Sequence, residues 1–271
     1  AGVVKEFGEF TFAPNANNAE EGELVIVNAA QLKRLAQLSE TEQLGNVTKV
    51  TIGATIDMTG VNWTGINLLP SHIVFDGGAD QGFSIKGLKA PLFNSTAATI
   101  QNLSLTDVAI VETADVKVGA IARSFYGTMK SCVATGTLEM NNTTFTTTAN
   151  MDKYDVINIG GLVGQAGNAT FENCENRVNV TIKSVSSDDL KKVYIAIGGA
   201  IGGVHTLSSL TNVDNYGAVT IDVRRKEYTY VLAAGVVGRM IPYSTDVTTA
   251  PDVKVVTKCE NHGTVQTTAE T

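Results

Sequence analysis

Four stretches of this chain repeat one pattern, and that repetition limits the possible folds more than any other feature. VGAIARSFYGTMKSCVATGTLEM begins at Val118, and IGGLVGQAGNATFENCENRVNVTI begins at Ile159. IGGAIGGVHTLSSLTNVDNYGAVTI follows from Ile197, and a longer copy opening AAGVVGRM runs from Ala233 to the GTVQT near the end. Aligned on the last apolar residue before a turn, the anchors are Cys132, Cys174, Val213 and Cys259, spaced 42, 39 and 46 residues apart. A single copy has nothing to bury its apolar face against. Copies must stack on one another, which gives a quasi-one-dimensional body.

The order within each copy is constant. A Gly-x-[Ile/Val] strand comes first: Gly119 to Ile121, Gly161 to Val163, Gly199 to Ile201, Gly235 to Val237. A second strand ends on the anchor, a short turn follows, and a last strand carries apolar residues two apart. Those pairs are Leu138/Met140, Val180/Ile182, Val219/Ile221 and the weaker Val265/Thr267. Three strands and three corners per copy predict an all-β, right-handed parallel β-helix, the hand following the general rule for parallel crossovers. A fifth, weaker copy lies upstream, where Ile100, Asn102 and Leu103 match Phe171, Asn173 and Cys174. Aromatic residues at 6% and charged residues at 17% suit strands and tight turns.

Two domains of organisation follow. Residues 1–46 form an N-terminal strand and capping helix, and residues 47–271 form one continuous repeat body. Alternation around 6–12 predicts the leading strand. Asn28 with Gln31 fits a capping box, Leu32, Leu35 and Ala36 supply the buried stripe, and Gly45 ends the run. The helix covers the first rung, whose open strand edge would otherwise template aggregation. Surplus length between rungs predicts projecting β-hairpins: 180–185 facing 193–197, and 219–223 facing 227–232. Asn176, Asn215 and Asn261 share one phase and predict corner residues that bond the turn and their counterparts on neighbouring rungs. Gly136, Gly217 and Gly263 follow two residues later, where a positive φ is expected. Val178 replaces that glycine in the second copy, so its turn is expected to differ.

These residues resemble the GLUG-type repeats of bacterial surface proteins with a pectin-lyase-like β-helix. That pattern is roughly G-G-[LIV]-[VI]-G, a variable stretch, then N-C-x-N-x-G-x-[VI]. It is matched best by Gly160–Gly164 with Asn173–Asn176 and by Gly198–Gly202 with Asn215–Val219. The resemblance implies an exported protein held at the outside of a bacterial cell. The chain itself shows no signal peptide, which fits either a cytosolic protein or a mature, trimmed one.

Composition excludes several functions. The net charge is −7 and no basic stripe exists, so nucleic acid is not a partner. No apolar stretch approaches the roughly 20 residues of a membrane span. Three cysteines without CxxC spacing argue against a metal site, and their shared phase marks a small apolar core position. His72, His205 and His262 lack ligand spacing. The glycine-rich segments lack a phosphate-loop lysine. No cofactor, metal or catalytic residue is assigned.

The candidate binding residues are Glu175, Asp214, Glu260, Tyr228 and Tyr230. The three acids share one phase, so neighbouring rungs about 4.8 Å apart would stack them in a column. Such a column can be a solvated edge, an acid/base pair or a seat for a hard cation. Arg177, Tyr216 and His262 share the phase two residues on. Tyr228 and Tyr230, with Tyr194, lie at the expected hairpins, suited to ligand contact or to cross-strand packing. The preferred expectation is a non-enzymatic surface module, a spacer or adhesive rod that binds a glycan or an extracellular protein. The alternative is a polysaccharide lyase or glycoside hydrolase using the carboxylate column. At the C-terminal side no capping helix is in view. Either the terminal residues fold over the last rung or the open edge pairs end to end with another molecule.

Overall fold

The computed structural model describes residues 11–15, 18–41, 44–114, 116–141, 156–183, 193–205, 208–222, 229–241 and 256–267. Among these the chain is mostly β, with one α-helix and three sheets of almost wholly parallel strands. A four-stranded sheet holds Lys117–Val118, Val156–Gly160, Val193–Gly198 and Thr229–Ala234. A six-stranded sheet holds Ile66–Leu69, Phe93–Thr96, Ala122–Phe125, Val163–Gly167, Ile201–His205 and Val237–Ile241. The remaining strands, among them Thr170–Lys183, Ser209–Asn215 and Val219–Asp222, belong to one long sheet. The chain visits the three in fixed order: Val156–Gly160, then Val163–Gly167, then Thr170–Lys183, and it begins again at Val193. This arrangement is consistent with a parallel β-helix or solenoid.

Residues at one phase do lie beside one another. Cys174 pairs with Val213, and Val133 pairs with Glu175, which sets Cys132 next to Cys174. Leu138, Val180, Val219 and Val265 form one column, and Met140, Ile182, Ile221 and Thr267 another. Ile100, Met129, Phe171, Leu210 and Val256 form a third, carrying the weak upstream copy into the same stack. Because a strand's side chains alternate, each such column faces one side, buried up to Leu210 and Val219 and exposed at its last members Val256, Val265 and Thr267. Phe75, Phe93, Phe125 and Phe171 are fully buried. Phe75 meets Phe93 edge-on at 5.2 Å, and Phe125 meets Phe171 at 5.3 Å.

The helix α1 spans Ala29–Glu40 and buries Leu32, Leu35 and Leu38. Asn28 Oδ1 accepts from the Gln31 amide at 3.0 Å, as the sequence predicts. The return bond differs: Gln31 Oε1 accepts from the Val27 amide at 2.8 Å, one residue earlier than a capping box. The helix also ends before Gly45. Thr41 caps it, its hydroxyl donating to the carbonyls of Gln37 and Leu38, so no left-handed glycine is needed. Ahead of α1, Thr11–Asn15 and Asn18–Ile26 form an antiparallel pair, and the second of these joins the long sheet through Val47–Ile52.

Among the described residues the strands expected to form projecting hairpins do not pair with each other. The strand ending at Lys183 lies in the long sheet, whereas Val193–Gly198 pairs in parallel with Val156–Gly160 and Thr229–Ala234. Val219–Asp222 likewise pairs with Thr170–Lys183, not with the strand that follows it. Alternation with period two is the same in a hairpin strand and a parallel one, so the pattern alone misassigned the partners. The expected tips, 186–192 and 224–226, lie outside the described residues, as do the strand residues 184–185, 223 and 227–228 beside them.

The left-handed corner also falls elsewhere than expected. Asn102, Ser131, Asn173, Asn212 and Lys258, each just before an anchor, have φ of 49, 52, 53, 54 and 53°. Gly136 has a positive φ of 131°, but Gly217 and Gly263 do not. Those two glycines are needed for space: a Cβ on Gly217 would overlap the Val178 carbonyl, and one on Gly263 the Gly217 carbonyl. At Val178 the chain does take a different course, as expected: the strand Thr170–Lys183 runs through it unbroken, whereas the third copy breaks between Asn215 and Val219, around Gly217.

Candidate functional site

Inside the long sheet runs a ladder of asparagines. Asn176 Nδ2 donates to Asn215 Oδ1 at 2.7 Å, and Asn215 Nδ2 donates to Asn261 Oδ1 at 2.7 Å. Each amide also closes its own turn. Asn176 bonds the Val178 carbonyl and amide at 3.0 and 3.1 Å, and Asn215 bonds those of Gly217 at 2.8 and 3.2 Å. Asn176 and Asn215 are fully buried, so these bonds satisfy groups that water cannot reach. The glycines of the repeat pack on this ladder. A Cβ on Gly161 would overlap the Asn176 side chain, one on Gly199 that of Asn215, and one on Gly235 that of Asn261. The rung before has Ala120 and Ala134 at the two matching positions, because Ala122, not Ile121, pairs with Val163 and its first strand is one residue out from the alignment of Gly119 with Gly161.

The ladder fixes what stands on the outer face one residue to either side. Glu175 and Asp214 are register partners, and the Asn215–Asn261 bridge places Glu260 next in line. The three acids thus form the predicted column, and each oxygen donor set is already engaged in part. Glu175 is bonded to Arg177, Asp214 Oδ1 accepts from the Glu260 amide at 3.0 Å, and Glu260 lies 3.2 Å from His262 Nε2. The Glu175 carboxylate holds the Arg177 guanidinium above its usual range.

Two residues on, Arg177, Tyr216 and His262 make a second column. The guanidinium sits 4.9 Å over the Tyr216 ring, and the His262 ring stacks on Tyr216 at 4.5 Å with an interplanar angle of 13°. Both faces of Tyr216 are thereby covered, leaving its edge and hydroxyl to solvent. The set is surface-exposed, with Tyr216 at 42%. It offers a charged, edge-on aromatic strip that runs along the stack, with donors and acceptors in alternating columns. Lys183 and Glu139 form a separate ion pair of 2.7 Å, six residues farther along the strand from Arg177, the glutamate holding the ammonium above its usual range.

The remaining candidates do not join this strip. Tyr228 lies outside the described residues. The backbone of Tyr230 pairs with that of Tyr194 in the four-stranded sheet, away from the long sheet that carries the acids. One polar cluster was not legible in the sequence. Arg123 bonds Glu112 at 2.5 Å and Asn94 at 3.2 Å, while Glu112 accepts the amides of Thr113 and Ala114 at 3.0 Å. It joins three strands around a corner and is largely buried, which marks it as structural. Among the described residues no group of three or more His, Cys, Asp or Glu could hold a metal ion. No helix among them is long and apolar enough to cross a membrane.

No family model matches this chain, and no curated protein matches it significantly in sequence. Among solved structures it is similar to one described as a "putative immunoglobulin A1 protease" from Bacteroides ovatus. The two share 13% identity with a TM-score of 0.48, over 94% of this chain and 86% of the other.

Proposed function

We propose that the chain is a right-handed parallel β-helix of GLUG-type rungs, and that it serves as a non-enzymatic, exported surface module. Its outer strip of Glu175, Asp214, Glu260, Arg177, Tyr216 and His262 contacts a glycan or an extracellular protein. One observation carries the reading: Arg177, Tyr216 and His262 of three consecutive rungs stack on one another, with Glu175 and Glu260 holding the two ends from within their own rungs. Each carboxylate has a neighbour on its own face, so the strip is a stiff, pre-ordered display. Pre-ordering lowers the cost of binding, because few side chains remain to be immobilised. The GLUG assignment is supported by the contact between the two ends of the motif, its glycine against its asparagine. The test is a binding screen against glycan and extracellular-matrix arrays, with the Arg177→Ala, Tyr216→Ala double variant as control. Binding by the parent that the variant loses supports the proposal. No binding at millimolar ligand, or equal binding by both proteins, overturns it.

A further inference from the structure

We propose that Cys132 and Cys174 are joined by a disulfide when this chain folds in an oxidising environment, tying two consecutive rungs together from within. The two are adjacent at one phase: Val133 pairs with Glu175, and the Glu175 amide donates to the Cys132 carbonyl at 2.9 Å. Neighbouring strands lie about 4.8 Å apart, inside the Cα separation of roughly 4.4–6.8 Å that a disulfide spans. Both side chains face the interior and are 1% exposed.

Cys174 Sγ leans toward the rung of Cys132, 3.6 Å from the Met129 carbonyl, and Cys132 Sγ leans the same way, 3.7 Å from the Ile100 carbonyl of the rung before, so a rotamer change of Cys132 is what closes the bond. The thiols feel each other. Burial, and then the neighbouring Cys174, push the Cys132 thiol well up, while the bond from Cys132 holds Cys174 below its usual value. What the bridge gives up is small. Each thiol makes weak bonds to carbonyls, of which Lys130 at 3.2 Å and Glu172 at 3.4 Å are the shortest.

The geometry selects one pairing of three. Cys259 follows Cys174 by two rungs with Val213 between them. That separation is about twice the strand spacing, or roughly 9.6 Å, too far for a bridge. Cys132 is farther still. The third thiol therefore stays free.

The chemistry needs an oxidant, and a small-molecule disulfide such as oxidised glutathione supplies it. One cysteine thiolate attacks that disulfide and releases one glutathione thiolate. The second cysteine thiolate then attacks the mixed disulfide and releases the other. Two protons and two electrons leave the protein, and one S–S bond forms. Both thiols are closed off once the rungs have stacked, so the reaction accompanies folding.

The experiment refolds the full chain from denaturant in a buffer of reduced and oxidised glutathione, then alkylates it under denaturing, non-reducing conditions. The expected product takes one alkyl group, on Cys259, and its tryptic map shows peptide 131–153 linked to 154–177. Cys259→Ser keeps that link, and Cys132→Ser abolishes it while leaving a chain with two reactive thiols. The oxidised protein also unfolds several degrees higher than the same protein after reduction. Three reactive thiols in correctly refolded protein, a link to peptide 259–271, or a link only between molecules would overturn the proposal.

Discussion

The contact between Gly161 and Asn176 makes a quantitative prediction. Gly161→Ala drives a methyl group into the Asn176 amide and the Gly199 carbonyl. Overpacking of this kind costs about 1–3 kcal/mol. Asn176→Ala removes bonds to the Val178 carbonyl, the Val178 amide and Asn215. It leaves the buried Val178 groups without partners, at about 1–3 kcal/mol for each. A loss of about 3–5 kcal/mol is expected for this single variant. The double variant recreates the pair Ala120 and Ala134 of the preceding rung, where alanine is tolerated at both positions. Removing the amide frees part of the space that the new methyl group needs. The Gly199 carbonyl remains in the way, so relief is partial. The double variant is therefore expected to be more stable than the sum of the singles by about 1–2 kcal/mol. Urea unfolding followed by circular dichroism, run on all four proteins, measures this coupling. Additivity to within about 0.5 kcal/mol would show that the glycine is not there for the asparagine.

Three further outcomes follow from named contacts. Lys258 holds a φ of 53° at a corner where Asn173 and Asn212 stand in equivalent rungs, joined by a 2.9 Å bond. Lys258→Asn is expected to stabilise the chain by about 0.5–1 kcal/mol, read as a higher melting temperature, and a lower one would contradict the reading. The Thr59 amide and hydroxyl, then Lys86, hold the Asp57 carboxyl at about 2. A carboxyl depressed in the fold contributes stability above its unfolded value of about 4 and loses it as pH falls toward its folded one. Asp57→Asn should thus flatten the melting profile between about pH 4 and pH 2, and superimposable profiles would refute this. Phe171→Ala, which empties a fully buried site against Phe125, should cost about 3–5 kcal/mol by denaturant unfolding. A loss below about 1 kcal/mol would mean that the column is not packed as described.

Column membership was legible because the repeat sets one phase for every residue, and the phase survives changes in copy length. The acids Glu175, Asp214 and Glu260 fell into line for that reason. So did Arg177, Tyr216 and His262, although their stacking was not readable, since it depends on side-chain rotation. The corners were harder. Glycine is the usual residue at positive φ, so Gly217 and Gly263 drew that expectation. In the structure the left-handed positions before the anchors go to Asn102, Asn173 and Asn212, with Ser131 and Lys258 at the other two, and those glycines make room for a neighbouring carbonyl. The hairpins failed because period-two alternation says which side chains face inward but names no partner strand. Glu112 and Arg123 had no signal, because their contact turns a corner and draws Asn94 from an earlier rung.

The ladder also bears on how such a chain is made. Asn215 reaches back 39 residues to Asn176 and forward 46 to Asn261, and the paired strands of the repeat body join each copy to the one before or after it. Nothing synthesised late is required to finish something synthesised early. A polypeptide emerging from a ribosome or a translocation pore with its amino end first can lay each turn on a completed one. It grows as rope is coiled on a deck, never waiting for the far end to arrive.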